Sequence, residues 1–265
     1  MQLIIDAQLS VTLDQPTDAL LQCEAAKTAA QRVIRSQTSI SPNTSFSRVA
    51  AQDGVGERLW LKADGKIDFE YRAEITISRV PTDIAALASP EPQSIPAYAV
   101  PYFFNTRYCS AEKFQPFVDS EFKGTAGGQR IKAIEEWVAK NLTYAPGVSN
   151  SETTALDTFA QREGVCRDYA HVLISLVRAS GIPARYVSCF APEVSPQDYH
   201  AVAQVLLQDP KSGACAWHLV DPTRMSTPAD TAIIGVGRDA GDVSFLTTFG
   251  PCQLERSVVS VTSDE

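Results

Sequence analysis

The sequence predicts an α+β protein in two parts: a β-rich, sandwich-like N-terminal domain over residues 1–100, and a second domain over residues 101–265 in which helices pack on an antiparallel sheet. Three observations predict this fold class. Up to about residue 80, apolar and polar side chains alternate, as they do in half-buried strands. Four prolines between Ser89 and Pro101 cannot continue a central strand or a helix, so they mark the boundary. Beyond them, apolar residues first recur at helical spacing and then alternate again.

In the N-terminal part, the clearest strand patterns cover residues 3–13 and 67–77, where every second residue is apolar. The dipeptide Asp64-Gly65 lies between a shorter strand pattern, residues 58–62, and the second of these strands. Because Asp-Gly is a strong signal for a tight turn between paired strands, the sequence predicts a β-hairpin at this position.

In the second part, the strongest helix pattern begins at Gly164. Apolar residues recur there at helical spacing as far as Val177, and Gly181 followed by Pro183 supplies the stop signal. Three strand patterns follow, over residues 184–190, 200–207 and 215–221. A turn sequence over residues 209–213 predicts that the last two strands form a hairpin centred near residues 211 and 212.

Composition and charge exclude several classes of protein. Lys and Arg total 23 against 31 Asp and Glu, a net charge of −8, and no Lys/Arg run offsets it, so we expect no nucleic-acid partner. The longest strongly apolar stretch, residues 172–177, is far shorter than the roughly 18 residues of a membrane span, so we expect no membrane insertion. The N-terminus lacks the cationic region of an export signal, which favours the reducing cytoplasm.

The sequence predicts neither a metal site nor a cofactor. Its six cysteines form no CxxC pair and no Cys/His pair at zinc-finger spacing. Gly235-x-Gly237-x-x-Ala240 imitates a dinucleotide-binding fingerprint, but no helix pattern follows it. We interpret this segment as a glycine-rich loop near the edge of the active site.

One cysteine has a position that favours chemistry. Cys166 lies in the first turn of the strongest helix, where free backbone N–H groups and the helix dipole favour the thiolate. The alternative is a buried structural cysteine, which is what most cysteines in such a chain are.

The predicted hairpin brings a histidine and an aspartate together. A turn centred at residues 211 and 212 places His200 opposite residues 222–224, close to Asp221. A carboxylate there can fix the orientation and tautomer of the imidazole. His171 lies about 140° around the helix from Cys166 and is expected to be structural, while His218 has the opposite strand parity to Asp221. His200 is therefore the candidate base.

Four segments carry a family resemblance: Glu163-Gly-Val-Cys-Arg-Asp-Tyr-Ala-His171, Gly181-Ile-Pro-Ala-Arg-Tyr-Val187, Asp198-Tyr-His-Ala201 and Asp221-Pro-Thr223. Together they resemble the core of the bacterial transglutaminase-like domain of the transglutaminase/protease superfamily, whose fold is related to that of papain. The resemblance implies a papain/transglutaminase-like catalytic domain with Cys166 as nucleophile, His200 as general base and Asp221 as its partner.

This sequence departs from the family pattern at two positions near the histidine. Many relatives have Trp and Glu where Val202 and Gln204 stand here. Neither is one of the three implied catalytic positions, but the site loses an aromatic wall and a charge. For the oxyanion, the backbone N–H of Cys166 is the expected donor, and the sequence assigns no side-chain donor.

The resulting expectation is thiol-dependent acyl transfer on the amide bonds of a peptide or protein substrate, through a Cys-His-Asp triad. Hydrolysis of peptide or isopeptide bonds, as in a cysteine protease or amidohydrolase, comes first because water is the default acceptor. The alternatives are amine transfer, as in a transglutaminase, and a non-catalytic peptide-binding module. The resemblance also implies association with an ATP-grasp ligase, and hence a ligase-made peptide as substrate.

Overall fold

The computed structural model describes residues 1–42 and 45–264 and is a mixed α+β structure, which confirms the predicted fold class. In that part of the chain, the strands β1 to β12 are, in order, Gln2–Leu21, Gln31–Ser41, Phe46–Ala50, Glu57–Ile77, Thr143–Tyr144, Glu163–Gly164, Ala184–Phe190, His200–Gln208, Cys215–Val220, Ala232–Gly237, Leu246–Thr248 and Cys252–Asp264. The helices α1 to α4 are Gln115–Glu121, Gly127–Asn141, Ala155–Gln161 and Cys166–Ala179. None of the helices described is long and apolar enough to cross a membrane.

The N-terminal region is β-rich, as predicted, and is built around two long antiparallel strands, β1 and β4. Along β1 the odd-numbered residues from Leu3 to Leu13 are buried, because alternation directs one face into a shared core. The pairing of β1 with β4 shifts register between Leu13 and Thr17, next to Gly65, which has a φ of +65°. The predicted hairpin at Asp64-Gly65 is wrong, because β4 runs without interruption through both residues and glycine permits an irregularity there instead of a turn.

The C-terminal end of the chain returns to the N-terminal sheet. The strand order is β11-β1-β4-β2, with β12 also paired to β1 and β3 also paired to β4. Strand β12 pairs with β1 from Gln2↔Asp264 to Leu13↔Cys252. The division at residue 100 stays a prediction, but residues 246–264 are hydrogen-bonded to the first of its two parts.

The second sheet positions the candidate site. It is antiparallel, in the order β10-β7-β8-β9, and α4 packs against one of its faces. The opposite face forms a smaller core with Ala26 and Val55 from the N-terminal region. Strands β7 and β8 are consequently buried along their whole length.

A partly buried ion pair joins the N-terminal region to this sheet. Asp53, in a turn with a φ of +57°, accepts a hydrogen bond at 2.9 Å from Arg185 of β7. Arg185 also donates to the Gln204 side chain at 2.8 Å, and its guanidinium lies 4.3 Å from the ring centre of Trp217. The carboxylate facing Arg185 is therefore supplied by Asp53, while Gln204, at the position where many relatives have Glu, supplies a neutral acceptor.

We expect Asp53→Asn to lower the free energy of unfolding by about 3 kcal/mol, because it leaves the Arg185 charge buried without a counter-ion. Asparagine tolerates the left-handed backbone at this position, so the loss reports on charge. The matched variant is Asp53→Asn with Gln204→Glu, which returns a carboxylate to Arg185 and should recover most of the stability in urea unfolding. Equal stability of Asp53→Asn and the wild type would contradict the role given to this ion pair.

Candidate active site

Cys166 is the first residue of α4, and local sequence fixes where that helix begins. The Asp168 carboxylate accepts a hydrogen bond from the Val165 N–H at 2.9 Å and closes the first turn. Gly164 makes room for this contact, since a Cβ at that position would lie 2.7 Å from the Cβ of Asp168. The Cys166 side chain is half-buried at the helix N-terminus, so its thiol lies beside the free backbone N–H groups of the first turn.

The structure brings His200 and Asp221 together. Strand β8 opposes β9 with Ala203 facing Val220 and Gln208 facing Cys215, which is the register that the turn at residues 209–213 predicts. His200 Nε2 lies 2.9 Å from Asp221 Oδ2, and both side chains are almost completely buried.

Asp221 is held by further donors. Its Oδ1 accepts hydrogen bonds from the Thr223 N–H at 2.9 Å and the Thr223 hydroxyl at 2.7 Å, and its Oδ2 accepts one from the Ser226 hydroxyl at 2.9 Å. Burial opposes ionisation of this carboxyl, but hydrogen bonds from His200 and Thr223, with the His200 charge, outweigh it and lower the pKa of Asp221. The carboxylate is therefore charged and fixed in direction.

The imidazole of His200 is oriented by Asp221 and faces the thiol. Burial lowers the pKa of His200, but hydrogen bonds and charges from Asp221 and Cys166 together overcome burial and raise the pKa to about 10. Among the residues that the structure describes, Nδ1 has no hydrogen-bond partner of normal geometry. With Nε2 engaged by Asp221, Nδ1 is the nitrogen that can exchange a proton with Cys166.

The other two histidines lie elsewhere. His171 is fully buried, its Nε2 accepts a hydrogen bond from the Ala240 N–H at 3.2 Å, and its ring stacks on Tyr108. Burial lowers the pKa of His171 to about 3, so the ring stays neutral. His218 faces Val205 across the β8–β9 pair and is half-buried. These positions agree with the structural role expected for His171 and with the exclusion of His218.

A cleft of about 440 Å³ opens onto Cys166 and His200. Arg167 and Asp198 supply its charged side chains, and Ala240 and Gly241, which follow β10, form part of one wall. Its other lining residues come mainly from the start of α4, β7, the segment before β8 and the return to the N-terminal sheet: Tyr108, Ser151, Val165, Tyr186, Ser188, Tyr199, Ala201, Val243, Ser244, Phe245 and Thr247. The interpretation of Gly235-x-Gly237-x-x-Ala240 as a loop is wrong up to Gly237, because the buried residues there pair with β7 as part of strand β10.

The residues that hold the side chains of Cys166, His200 and Asp221 in place were not predicted from the sequence. Thr223 belongs to the Asp221-Pro-Thr223 segment, and an Asp whose side chain accepts the N–H two residues later is a common turn signal. Ser226 could not be recognised locally, because its loop conformation decides its contact. Tyr144, which lies beside Cys166, is on β5, and a two-residue strand carries no periodic pattern.

Comparison with known proteins finds a matching family model and curated proteins of similar sequence. Residues 118–222 match the family model of the transglutaminase-like superfamily. An uncharacterized protein of Mycobacterium leprae is 32% identical over 119 residues, 43% of this chain and 42% of the relative. One from Mycobacterium tuberculosis is 32% identical over 144 residues, 51% of this chain and 46% of the relative. The chain thus spans less than half the length of the curated relatives it matches.

A solved structure resembles the whole chain. The crystal structure described as a "putative cysteine protease" from Cytophaga hutchinsonii superposes with a TM-score of 0.89 at 26% sequence identity, covering 100% of this chain and 91% of the other. The likeness includes the N-terminal region as well as the helices and the second sheet, since all of this chain is covered. Residues 118–222 therefore match the transglutaminase-like superfamily, and the whole chain resembles the fold of that solved structure.

Proposed function

We propose that this protein is a cysteine-dependent enzyme that hydrolyses peptide or isopeptide amides, with Cys166 as nucleophile, His200 as base and acid, and Asp221 as the group that orients His200. One observation carries the proposal: the His200–Asp221 contact of 2.9 Å leaves Nδ1 available beside a half-buried thiol at a helix N-terminus. The likeness to a structure described as a "putative cysteine protease" supports the same reading.

The first half-reaction forms a thioester. With its pKa raised to about 10, His200 holds the catalytic proton on Nδ1 and pairs with Cys166, whose Sγ attacks the carbonyl carbon while the carbonyl π electrons move to oxygen. When the tetrahedral intermediate collapses, the C–N bond breaks and His200 returns the proton to the leaving amine. Asp221 stays ionised throughout and stabilises the imidazolium.

The second half-reaction releases the acyl group. A water molecule gives a proton to His200 and attacks the thioester carbon, after which the C–S bond breaks and the thiol is restored. Amine transfer would use the same steps with an amine in place of water, and it requires a site that holds the amine in attack geometry. Asp198 favours this second candidate, because a carboxylate lining the cleft attracts an ammonium group.

Analysis of the reaction products distinguishes hydrolysis from amine transfer. We expect the wild-type protein, given p-nitrophenyl acetate and millimolar Nα-acetyl-lysine amide, to release mostly acetate, since a single carboxylate supplies little orientation to an amine. Chromatography quantifies acetate and the acetylated lysine after subtraction of the background measured with Cys166→Ala. A predominance of acetylated lysine would overturn hydrolysis and favour the transferase, while equal rates for the wild type and Cys166→Ala would favour a peptide-binding module.

A further inference from the structure

The position of Tyr144 is fixed by a short parallel strand pair next to the nucleophile. Tyr144 of β5 pairs with Gly164 of β6, two residues before Cys166, and the Ala145 N–H donates to the Gly164 carbonyl at 3.0 Å. The Tyr144 ring lies 6.0 Å from the ring of Tyr169 on α4. Backbone pairing and ring packing therefore hold the phenol against the first turn of the helix.

The hydroxyl of Tyr144 lies next to Cys166, close enough that the thiol and the backbone N–H of Cys166 both influence its ionisation. Burial, followed by the influence of the Cys166 thiol, raises the pKa of Tyr144 to about 12, so the phenol keeps its proton at neutral pH and remains a hydrogen-bond donor. The acyl-transfer steps of Cys166, His200 and Asp221 do not use this hydroxyl.

We propose that Tyr144 is a catalytic residue of the same reaction, and that its hydroxyl and the Cys166 backbone N–H together bind the oxyanion of the tetrahedral intermediate. The inference rests on the proposed function, since it needs an acyl-transfer step at Cys166. The geometry points to this role because the Tyr144 hydroxyl and the Cys166 N–H both lie beside Sγ. The carbonyl oxygen is bonded to the carbon that Sγ attacks, so it must lie close to the same two donors.

The step balances without another reactant. As the Sγ–C bond forms, the carbonyl π pair becomes a lone pair on oxygen, and the Tyr144 O–H and the Cys166 N–H donate hydrogen bonds to it. When the C–N bond breaks, the pair returns to the carbonyl and both donors are released. Tyr144 keeps its proton, because His200 carries the proton that leaves with the amine.

Two reactions of the same thiol test this role. Acylation by p-nitrophenyl acetate passes through an oxyanion, whereas alkylation by iodoacetamide displaces iodide without one. We expect Tyr144→Phe to lower the acylation rate by about 10²-fold, the effect of losing one oxyanion donor. The alkylation rate should change by less than threefold or so, because thiol nucleophilicity is retained.

The matched control is Tyr169→Phe. This variant removes the hydroxyl of the neighbouring ring. Burial alone raises the pKa of Tyr169, with no contribution from Cys166, so both rates should stay at the wild-type level. Thermal unfolding of each variant checks folding, and Tyr144→Leu removes the same hydroxyl if the Phe variant does not fold.

Two results would overturn the inference. An unchanged acylation rate in Tyr144→Phe would remove the hydroxyl from the oxyanion site, and equal losses in both reactions would assign it to holding the thiol instead. Failure of the proposed function looks different, because the wild type itself would then show no acetyl group on Cys166.

Discussion

Replacement of Cys166 by alanine is expected to abolish turnover, with a loss in kcat/KM of at least about 10⁴-fold on p-nitrophenyl acetate. No other group in the proposed mechanism can form the thioester. His200→Ala should cause a loss of similar size, because the thiol then has no partner for its proton. The double variant should lose little more than either single variant, since residues that act as one unit are strongly non-additive.

The control for this cycle is Cys252→Ser, because Cys252 is exposed and lies on β12 of the N-terminal sheet. This variant should keep wild-type turnover. Full activity in Cys166→Ala, or losses that multiply in the double variant, would contradict the assignment of Cys166 and His200 to a single catalytic unit.

Asp221→Asn is expected to lower kcat/KM by roughly 10³- to 10⁴-fold, because the amide keeps the shape but carries no charge to stabilise the imidazolium. The pH profile should change as well. Asp221 raises the pKa of His200, so its removal lowers that pKa, and the imidazolium that protonates the leaving amine is lost at lower pH. On a peptide p-nitroanilide, whose leaving group is an amine, the alkaline limb of kcat/KM should therefore move to lower pH in the variant.

The pH profile distinguishes this role from simple loss of structure, because a merely destabilised protein would keep the wild-type limb up to the pH at which it unfolds. Asp119→Asn, at an exposed position on α1, is the matched control and should leave both the rate and the limb unchanged. An alkaline limb that stays in place in Asp221→Asn would show that Asp221 does not set the protonation of His200.

The local parts of this structure could be predicted from sequence. The contact between His200 and Asp221 follows from a turn whose centre fixes the register of two adjacent strands, so short-range information is enough. The helix α4 follows from its apolar pattern, but its predicted start at Gly164 is two residues early, because Glu163–Gly164 pair as β6 and the Asp168 carboxylate closes the first turn at Cys166. That these residues act in catalysis stays a prediction.

The features that could not be predicted depend on contacts between distant segments, or on turn sequences that allow two different backbone arrangements. Asp64-Gly65 permits either a tight turn or an irregularity in a continuous strand, and pairing along the whole of β1 favours the second. The return of β12 to β1 joins residues more than 200 positions apart, which no periodicity reveals. The Asp53–Arg185 ion pair likewise depends on packing of the N-terminal region against β7.

The most direct test of the central claim is peptide mapping by mass spectrometry after brief exposure to p-nitrophenyl acetate and an acid quench. The mechanism predicts that the acetyl group appears first on the peptide that contains Cys166, and that His200→Ala abolishes it there. An acetyl group found first on Cys252 or Cys215, with Cys166 unmodified, would contradict the assignment of Cys166 as the nucleophile.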